Sequence, residues 1–191
     1  MSDRTESRGR IIASARRLFY EAGYENTSYA DLAAAAGVPK GNFYYHFKSK
    51  DELLGAVLEA RHADVAAALD TWAAQARTPQ EGLRRFVRMV MSEEEALVAY
   101  GCPVGSLLTE LGKHRDDLRE AARAVMDLYV EWLTARFTEL GHPARHAEVL
   151  AKRLLARAQG AIVMAHAYGD QALLRRELKD IEAWLSEQAP T

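Results

Sequence analysis

The sequence has few of the features that mark secreted, membrane-spanning or linker-rich proteins. One of its 191 residues is cysteine and five are proline. The single Cys102 cannot form an internal disulfide, which fits a reducing compartment. No run approaches the roughly 18 to 20 apolar residues needed to span a bilayer, and no apolar segment follows the charged N-terminus as in a signal peptide. We therefore expect a cytoplasmic protein with no membrane partner.

Sequence motifs of common enzymes and metal sites are also missing. There is no P-loop, GxSxG or GxGxxG motif. His142 and His146 are four residues apart, but Pro143 separates them and no Cys, Asp or Glu at ligand spacing completes a metal site. We predict no catalytic residue, no metal and no cofactor. One alternative left open is an enzyme that uses Cys102 with a distant histidine.

Apolar residues recur at three- and four-residue spacing through most of the chain, which is typical of amphipathic helices. Start and stop signals predict helices over about 5–22, 28–36, 39–47 and 49–76, from 78 onward, and over 103–111, 118–140, 144–168 and 171–188. Pro79 and Pro103 are each predicted at the first position of a helix. No strand pattern is present, so the predicted fold class is all-α.

Two short helical patterns meet at a glycine turn near the N-terminus. Apolar positions from Leu32 to Ala36 end at Gly37, which can take the left-handed conformation that closes a helix. Pro39 suits the first turn of a new helix, and Ser28 with Asp31 approximates a capping box. Two helices joined by a short glycine turn are typical of a helix-turn-helix, whose second helix enters the DNA major groove.

Charge is divided unevenly along the chain. The net charge is −2 overall. Residues 1–50 contain eight Lys and Arg against five acidic residues, a net charge of +3, and the remaining residues therefore carry −5. A basic N-terminal part on an acidic body is the distribution expected when one end of a protein meets phosphate.

The residues from Gly23 to Leu54 follow the pattern GYxxTSxxDLAxxAGVxxGxxYxHFxxKxxLL. This pattern resembles the DNA-binding signature of the TetR family of transcriptional repressors. The resemblance implies a homodimer that binds a palindromic operator and releases it when a small molecule enters a larger C-terminal domain. We accordingly predict a helix-turn-helix DNA-binding domain over 1–50, joined by a long helix to an effector-binding and dimerisation domain over 51–191.

Eight residues are predicted to contact DNA. They are Ser28, Lys40, Gly41, Asn42, Tyr44, Tyr45, His46 and Lys50. Lys40 and Asn42 have the donors and acceptors to bind base edges, with phosphate contact as the alternative. Tyr44 and Lys50 match family positions that hold the DNA backbone, although Tyr44 could instead pack in the core and Lys50 could be a solvated charge. His46 could bind a phosphate or cap its helix.

The C-terminal part supplies large apolar side chains for an effector pocket, whose existence rests on the family resemblance. The candidate pocket residues are Trp72, Phe86, Met89, Cys102, Met126, Tyr129 and Trp132. The segment GCPVGSLLTEL around Cys102 resembles an LmrA/YxaF-like subset of the family, in which some members sense electrophiles through such a cysteine. A thiol at a helix start can be reactive. A quietly buried cysteine is the alternative, as core packing is for each aromatic residue.

The last two predicted helices carry the candidate dimer interface, if the family layout holds. Its residues are Leu150, Leu154, Ala158, Ala161, Ile162, Ala165, Leu174, Leu178, Ile181 and Leu185. Burial within one subunit is the alternative. Altogether the sequence predicts a ligand-responsive repressor that is released by a small lipophilic or electrophilic effector. The competing class is a cytoplasmic helical ligand-binding protein or enzyme with no role on DNA.

Overall fold

The computed structural model describes residues 2–111 and 115–188, and every regular element in those residues is an α-helix. The ten helices are α1 (Ser2–Glu21), α2 (Tyr29–Ala36), α3 (Lys40–His46), α4 (Lys50–Gln75), α5 (Pro79–Ser92), α6 (Glu94–Tyr100), α7 (Gly105–Glu110), α8 (Asp116–Glu139), α9 (Ala144–Tyr168) and α10 (Gln171–Glu187). The predicted all-α fold is confirmed. The pattern did not predict α6, because seven residues are too few to show a clear apolar period.

Helix starts and stops follow local chemistry. The side chains of Ser28, Thr78 and Asp170 each accept the backbone N–H three residues on, so that α2, α5 and α10 begin with capped donors. Gly37 and Gly169 end α2 and α9 in the left-handed conformation, with φ of 63° and 61°. These signals operate within a few residues, and for that reason they can be found in the sequence.

The chain divides into two compact units. The first contains residues 1–63 and 106–125, and the second contains residues 64–105 and 126–191. Helices α4 and α8 each continue from one unit into the other. The first unit therefore extends beyond the predicted domain over 1–50 and includes a segment that is distant in sequence.

The first unit has an apolar core built from helices α1 to α4. Ile11 and Phe19 of α1, Leu32 of α2 and Phe43 of α3 are at most 3% exposed. The Phe43 ring also meets Phe47, four residues on, with ring centroids 6.1 Å apart. Burial of these large side chains, each contributing about 1.5–3 kcal/mol, holds the short α2 and α3 in place.

The second unit has its own core, to which α5, α6, α8, α9 and α10 contribute. Leu83 of α5, Leu133 and Phe137 of α8, and Leu174 of α10 are fully buried there. The side chain of Trp132 adds a polar tie by donating from Nε1 to the Leu69 carbonyl at 3.1 Å. In the residues described, none of the helices is long and apolar enough to cross a membrane.

Candidate DNA-binding site

The entrance to α2 is fixed by a reciprocal pair of hydrogen bonds. Ser28 Oγ accepts the Asp31 N–H at 3.2 Å, while Asp31 Oδ2 accepts the Ser28 N–H at 2.9 Å and the Ser28 hydroxyl at 2.6 Å. The hydrogen bonds from Ser28, first from its side chain and then from its backbone, hold the pKa of Asp31 below its usual value. The predicted capping box is confirmed. A phosphate contact by Ser28 stays a prediction.

Helix α3 has a buried side and an exposed aromatic side. Phe43 and Phe47 are each 1% exposed, whereas Tyr44 and Tyr45 are 57% and 63% exposed. The Tyr44 ring lies 5.4 Å from the Tyr29 ring, which steadies it without covering it. Core packing of Tyr44, the alternative, does not fit this exposure. Two exposed tyrosines on one short helix can donate hydrogen bonds to phosphate oxygens.

The remaining positions of α3 differ in what the structure describes. His46 is half-buried and its ring lies 5.4 Å from that of Tyr45. A Cβ added at Gly41 would meet nothing within 4 Å, so packing inside the chain does not require glycine there. That open space leaves the backbone accessible to a close neighbour. The side chains of Lys40 and Asn42 lie outside the described residues, and their predicted base contacts stay predictions.

Lys50 makes hydrogen bonds within the chain that the sequence did not predict. Its Nζ donates to the carbonyls of Tyr24 at 2.9 Å, Thr27 at 3.2 Å and Glu25 at 3.4 Å, and it lies 4.3 Å from the centroid of the Tyr24 ring. An ammonium has three donors, and three carbonyl oxygens lie within hydrogen-bond distance of it. The alternative of a solvated charge does not fit these contacts, and the phosphate contact stays a prediction. Lys50 ties the turn between α1 and α2 to the start of α4.

Sequence reasoning missed a polar cluster around Tyr24. Its hydroxyl donates to Asp51 and accepts from Arg115 Nη1 at 2.8 Å, and Arg115 Nη1 also lies 2.5 Å from Asp51 Oδ1. Burial, followed by the hydrogen bond to Asp51, raises the pKa of the Tyr24 phenol well above its usual range. Glu110 joins the same turn by accepting the backbone N–H groups of Tyr24 and Glu25. Separations of 27 to 91 residues leave no short-range signal for these contacts.

The predicted pocket residues form separate contacts in the second unit. Trp72 and Trp132 lie edge to face with ring centroids 5.9 Å apart, and Phe86 meets Tyr129 in the same way at 5.8 Å. Phe86 is only 2% exposed and belongs to the core, as the alternative of core packing expects, and its pocket role stays a prediction. Met126 is half-buried.

A surface cavity of about 370 Å³ includes two of the predicted pocket residues. Trp72 and Met89 line it together with Arg85, Arg88 and Ser92. The Arg85 guanidinium lies 6.0 Å from the centroid of the Trp72 ring. This combination can hold a flat or apolar molecule against an aromatic face with cationic groups beside it.

Cys102 is half-buried against the core of the second unit. Its Sγ accepts the backbone N–H of Gly105 at 3.3 Å. Pro103 and Val104 form a turn and α7 begins at Gly105, so the predicted helix start at Pro103 is wrong. The thiol closes this turn, a role that does not require chemical reactivity.

The ten residues predicted at the dimer interface are all buried within one chain. Each is at most 5% exposed, and all ten belong to the core cluster of the second unit. Side chains already packed in a core cannot contact a second copy, so the choice of these residues is corrected. The opposite face of α9 is exposed and carries Val149, Ala156, Gly160, Val163 and Ala167, together with the charged Lys152 and Arg153.

Comparisons with known proteins agree with the helix-turn-helix. Residues 11–57 match the family model of bacterial regulatory proteins of the tetR family, and residues 79–179 match that of the C-terminal domain of LmrA/YxaF-like transcriptional regulators. The HTH-type transcriptional repressor DhaR of Mycobacterium sp. (strain GP1) is 30% identical over 165 residues, covering 84% of this chain and 82% of its own. The HTH-type transcriptional regulator LmrA of Bacillus subtilis (strain 168) is 28% identical over 166 residues, covering 84% and 86%.

Solved structures show the same architecture. A TetR transcriptional regulator from Chloroflexus aurantiacus superposes with a TM-score of 0.86 at 28% identity, covering 98% of both chains. A TetR regulator from Legionella pneumophila superposes at 0.83 and 22% identity, covering 95% of this chain and 96% of its own, which supports the fold alone. The capped helices, the glycine turn and the two domain matches lead to one conclusion: the chain belongs to the TetR family of transcriptional regulators, with an LmrA/YxaF-like C-terminal domain.

Proposed function

We propose that the protein represses transcription by binding a palindromic operator as a homodimer, and that a small molecule bound in the second unit releases it. The observation that carries the proposal is the capped α2, the left-handed Gly37 turn and the exposed tyrosines of α3. This arrangement can place one short helix in the major groove with phenolic donors toward the backbone. The relative DhaR is named as a repressor, which supports repression over activation.

The exposed stripe of α9 supports the homodimer. Val149, Ala156, Gly160, Val163 and Ala167 recur at helical spacing on one exposed face. Val149 and Val163 are 58% and 60% exposed, and a Cβ added at Gly160 would meet nothing within 4 Å. Small residues between larger apolar ones allow a second helix to approach closely. An isologous pairing of this face would give the two-fold symmetry that a palindromic operator requires.

The proposed effector is a small lipophilic or electrophilic compound. Trp72 and Met89, with the neighbouring arginines, line the surface cavity of about 370 Å³. Half-buried Tyr129, Trp132, Met126 and Cys102 remain candidates for contacts in the second unit. A genome-wide pull-down of the protein with its DNA would locate the operator, and the neighbouring genes would indicate the effector.

Operator binding and dimer formation can be tested together. Selection from a randomised duplex pool is expected to give a palindrome with half-sites about one helical turn apart, roughly 34 to 36 Å, or a small multiple of that distance. Sedimentation is expected to show a dimer that Val163→Glu converts to monomer, whereas Ala74→Glu, at an exposed position of α4, leaves it intact. A wild-type protein that sediments as a monomer and selects no preferred sequence contradicts the proposal.

A further inference from the structure

A single carboxylate ties the end of α7 to the turn between α1 and α2. Glu110 Oε2 accepts the Tyr24 N–H at 2.9 Å, and Oε1 accepts the Glu25 N–H at 2.7 Å. Gly23 has a φ of +86°, and a Cβ added there would lie 3.1 Å from Glu110 Oε1. Two successive backbone donors therefore converge on one carboxylate, and the glycine lets the backbone come close enough.

A second tie reaches the same turn from the start of α8. Arg115 Nη1 donates to the Tyr24 hydroxyl and to Asp51 Oδ1, and Arg115 Nη2 lies 3.4 Å from Glu25 Oε1. The guanidinium also lies 5.1 Å from the centroid of the Tyr24 ring. One arginine thus joins the turn to the first residues of α4.

The turn held by these two side chains leads directly into the helix-turn-helix. Thr27 closes the turn by donating from Oγ1 to the Gly23 carbonyl at 2.7 Å, and Ser28 then caps α2. The position of α2, and with it that of α3, therefore depends on where the turn sits relative to α4. Glu110 and Arg115 lie outside the matched DNA-binding segment of residues 11–57.

We propose that Glu110 and Arg115 are positioning residues for operator binding, which hold the turn between α1 and α2 so that α3 is presented in its DNA-binding orientation. The proposal rests on the proposed operator binding. Glu110 gives an unusually sharp test because simple electrostatics predicts the opposite result: removal of a negative charge should strengthen binding to phosphate. A positioning role predicts that removing the charge weakens operator binding, because a loosened helix-turn-helix must be ordered when it binds.

The experiment measures operator affinity at several salt concentrations for Glu110→Gln and for the matched control Glu120→Gln. Glu120 is an exposed acid of α8 whose carboxylate lies 3.6 Å from the exposed guanidinium of Arg123. Glu110→Gln is expected to lose roughly tenfold in affinity, equivalent to about 1.4 kcal/mol. Its slope of log affinity against log salt should equal that of the wild type, because no phosphate contact is lost. Glu120→Gln should bind as well as the wild type or slightly better.

A parallel pair of variants tests Arg115. Arg115→Lys keeps the charge but loses the planar guanidinium that contacts Tyr24, Asp51 and Glu25 together. This variant is expected to weaken operator binding severalfold. Arg119→Lys is the control, since its pairing with Asp116 at 3.2 Å is exposed. This pair keeps the proposal open to refutation if Glu110→Gln fails to fold.

Hydrogen exchange at the amides of Tyr24 and Glu25 gives a readout that does not depend on DNA. Both amides should be protected in the wild type and should exchange faster in Glu110→Gln. If Glu110→Gln binds the operator like the wild type, or if the two amides are unprotected in the wild type, the positioning role is overturned. A wild-type protein that binds no duplex overturns the proposed function instead, and the exchange rates still show whether the carboxylate holds the turn.

Discussion

Replacement of Lys50 by methionine should lower the free energy of unfolding and leave the salt dependence of operator binding unchanged. Methionine keeps much of the apolar stem and removes the ammonium, with its three bonds to the carbonyls of Tyr24, Glu25 and Thr27. A hydrogen bond to a charged group contributes roughly 1.5–3 kcal/mol, and two of these three are longer than 3 Å and partly exposed to water. We therefore expect a loss of about 2 kcal/mol rather than the full sum. For a chain of this size that loss corresponds to a fall in Tm of roughly 4–8 °C.

The assay for Lys50→Met combines thermal unfolding followed by circular dichroism with operator titration at several salt concentrations. The matched control is Lys48→Met, which removes the same charge from an exposed position two residues away and should leave the Tm unchanged. The salt slope of Lys50→Met should equal that of the wild type. An unchanged Tm together with a slope reduced by about one unit would show that Lys50 contacts a phosphate, and the structural argument would fail.

Three further predictions concern the cap, a base contact and the thiol. Ser28→Ala should cost about 1 kcal/mol, measured as a Tm lower by roughly 2–4 °C. Because the folded-state pKa of Asp31 is depressed, its carboxylate stabilises the fold above the unfolded pKa of about 3.9. That stabilisation is lost as the pH falls through the folded-state pKa, so the Tm values of the wild type and Ser28→Ala should converge in acid. Asn42→Ala should relax the sequence preference at one base position at a cost of roughly 1–3 kcal/mol in binding free energy. Equal losses of affinity for operator and for random DNA would show that Asn42 does not contact a base edge. Cys102→Ser should keep both operator binding and effector release, because a serine oxygen can accept the same N–H. If the serine variant still binds the operator but an alkylating compound no longer releases it, the thiol is a sensor.

Features that could be predicted from the sequence depend on residues close together in the chain. The capping box at Ser28 and the left-handed Gly37 are each determined by a few neighbouring backbone groups. Lys50 contacts carbonyls 23 to 26 residues away, and its partners depend on how α4 packs against the turn. A lysine in a DNA-binding signature looks the same in sequence whether it binds phosphate or a carbonyl. The sequence identifies Lys50 as a candidate, and only the structure shows its contacts within the chain.

Helix α9 shows why periodicity alone cannot assign a dimer interface. Its most regular apolar stripe, which includes Leu150, Leu154 and Ala158, packs inside one chain because large aliphatic side chains fill a core most efficiently. A second stripe with Val149 and Val163 lies on the exposed face, and its smaller members made it look less hydrophobic. Spacing identifies an apolar face, but it does not say whether that face meets the same chain or another copy.

In the segment GCPVGSLLTEL, Cys102 holds a backbone turn, although cysteine is a reactive residue type. Gly101, with a φ of 78°, ends α6, and a Cβ added at Gly105 would lie 2.9 Å from Gln159 Oε1 and 3.3 Å from Cys102 Cβ. Cys102 Sγ accepts the Gly105 N–H within the turn. At the other end of the segment, the Glu110 carboxylate accepts the backbone N–H groups of Tyr24 and Glu25. Each unusual residue is thus accounted for by a backbone position that it fixes.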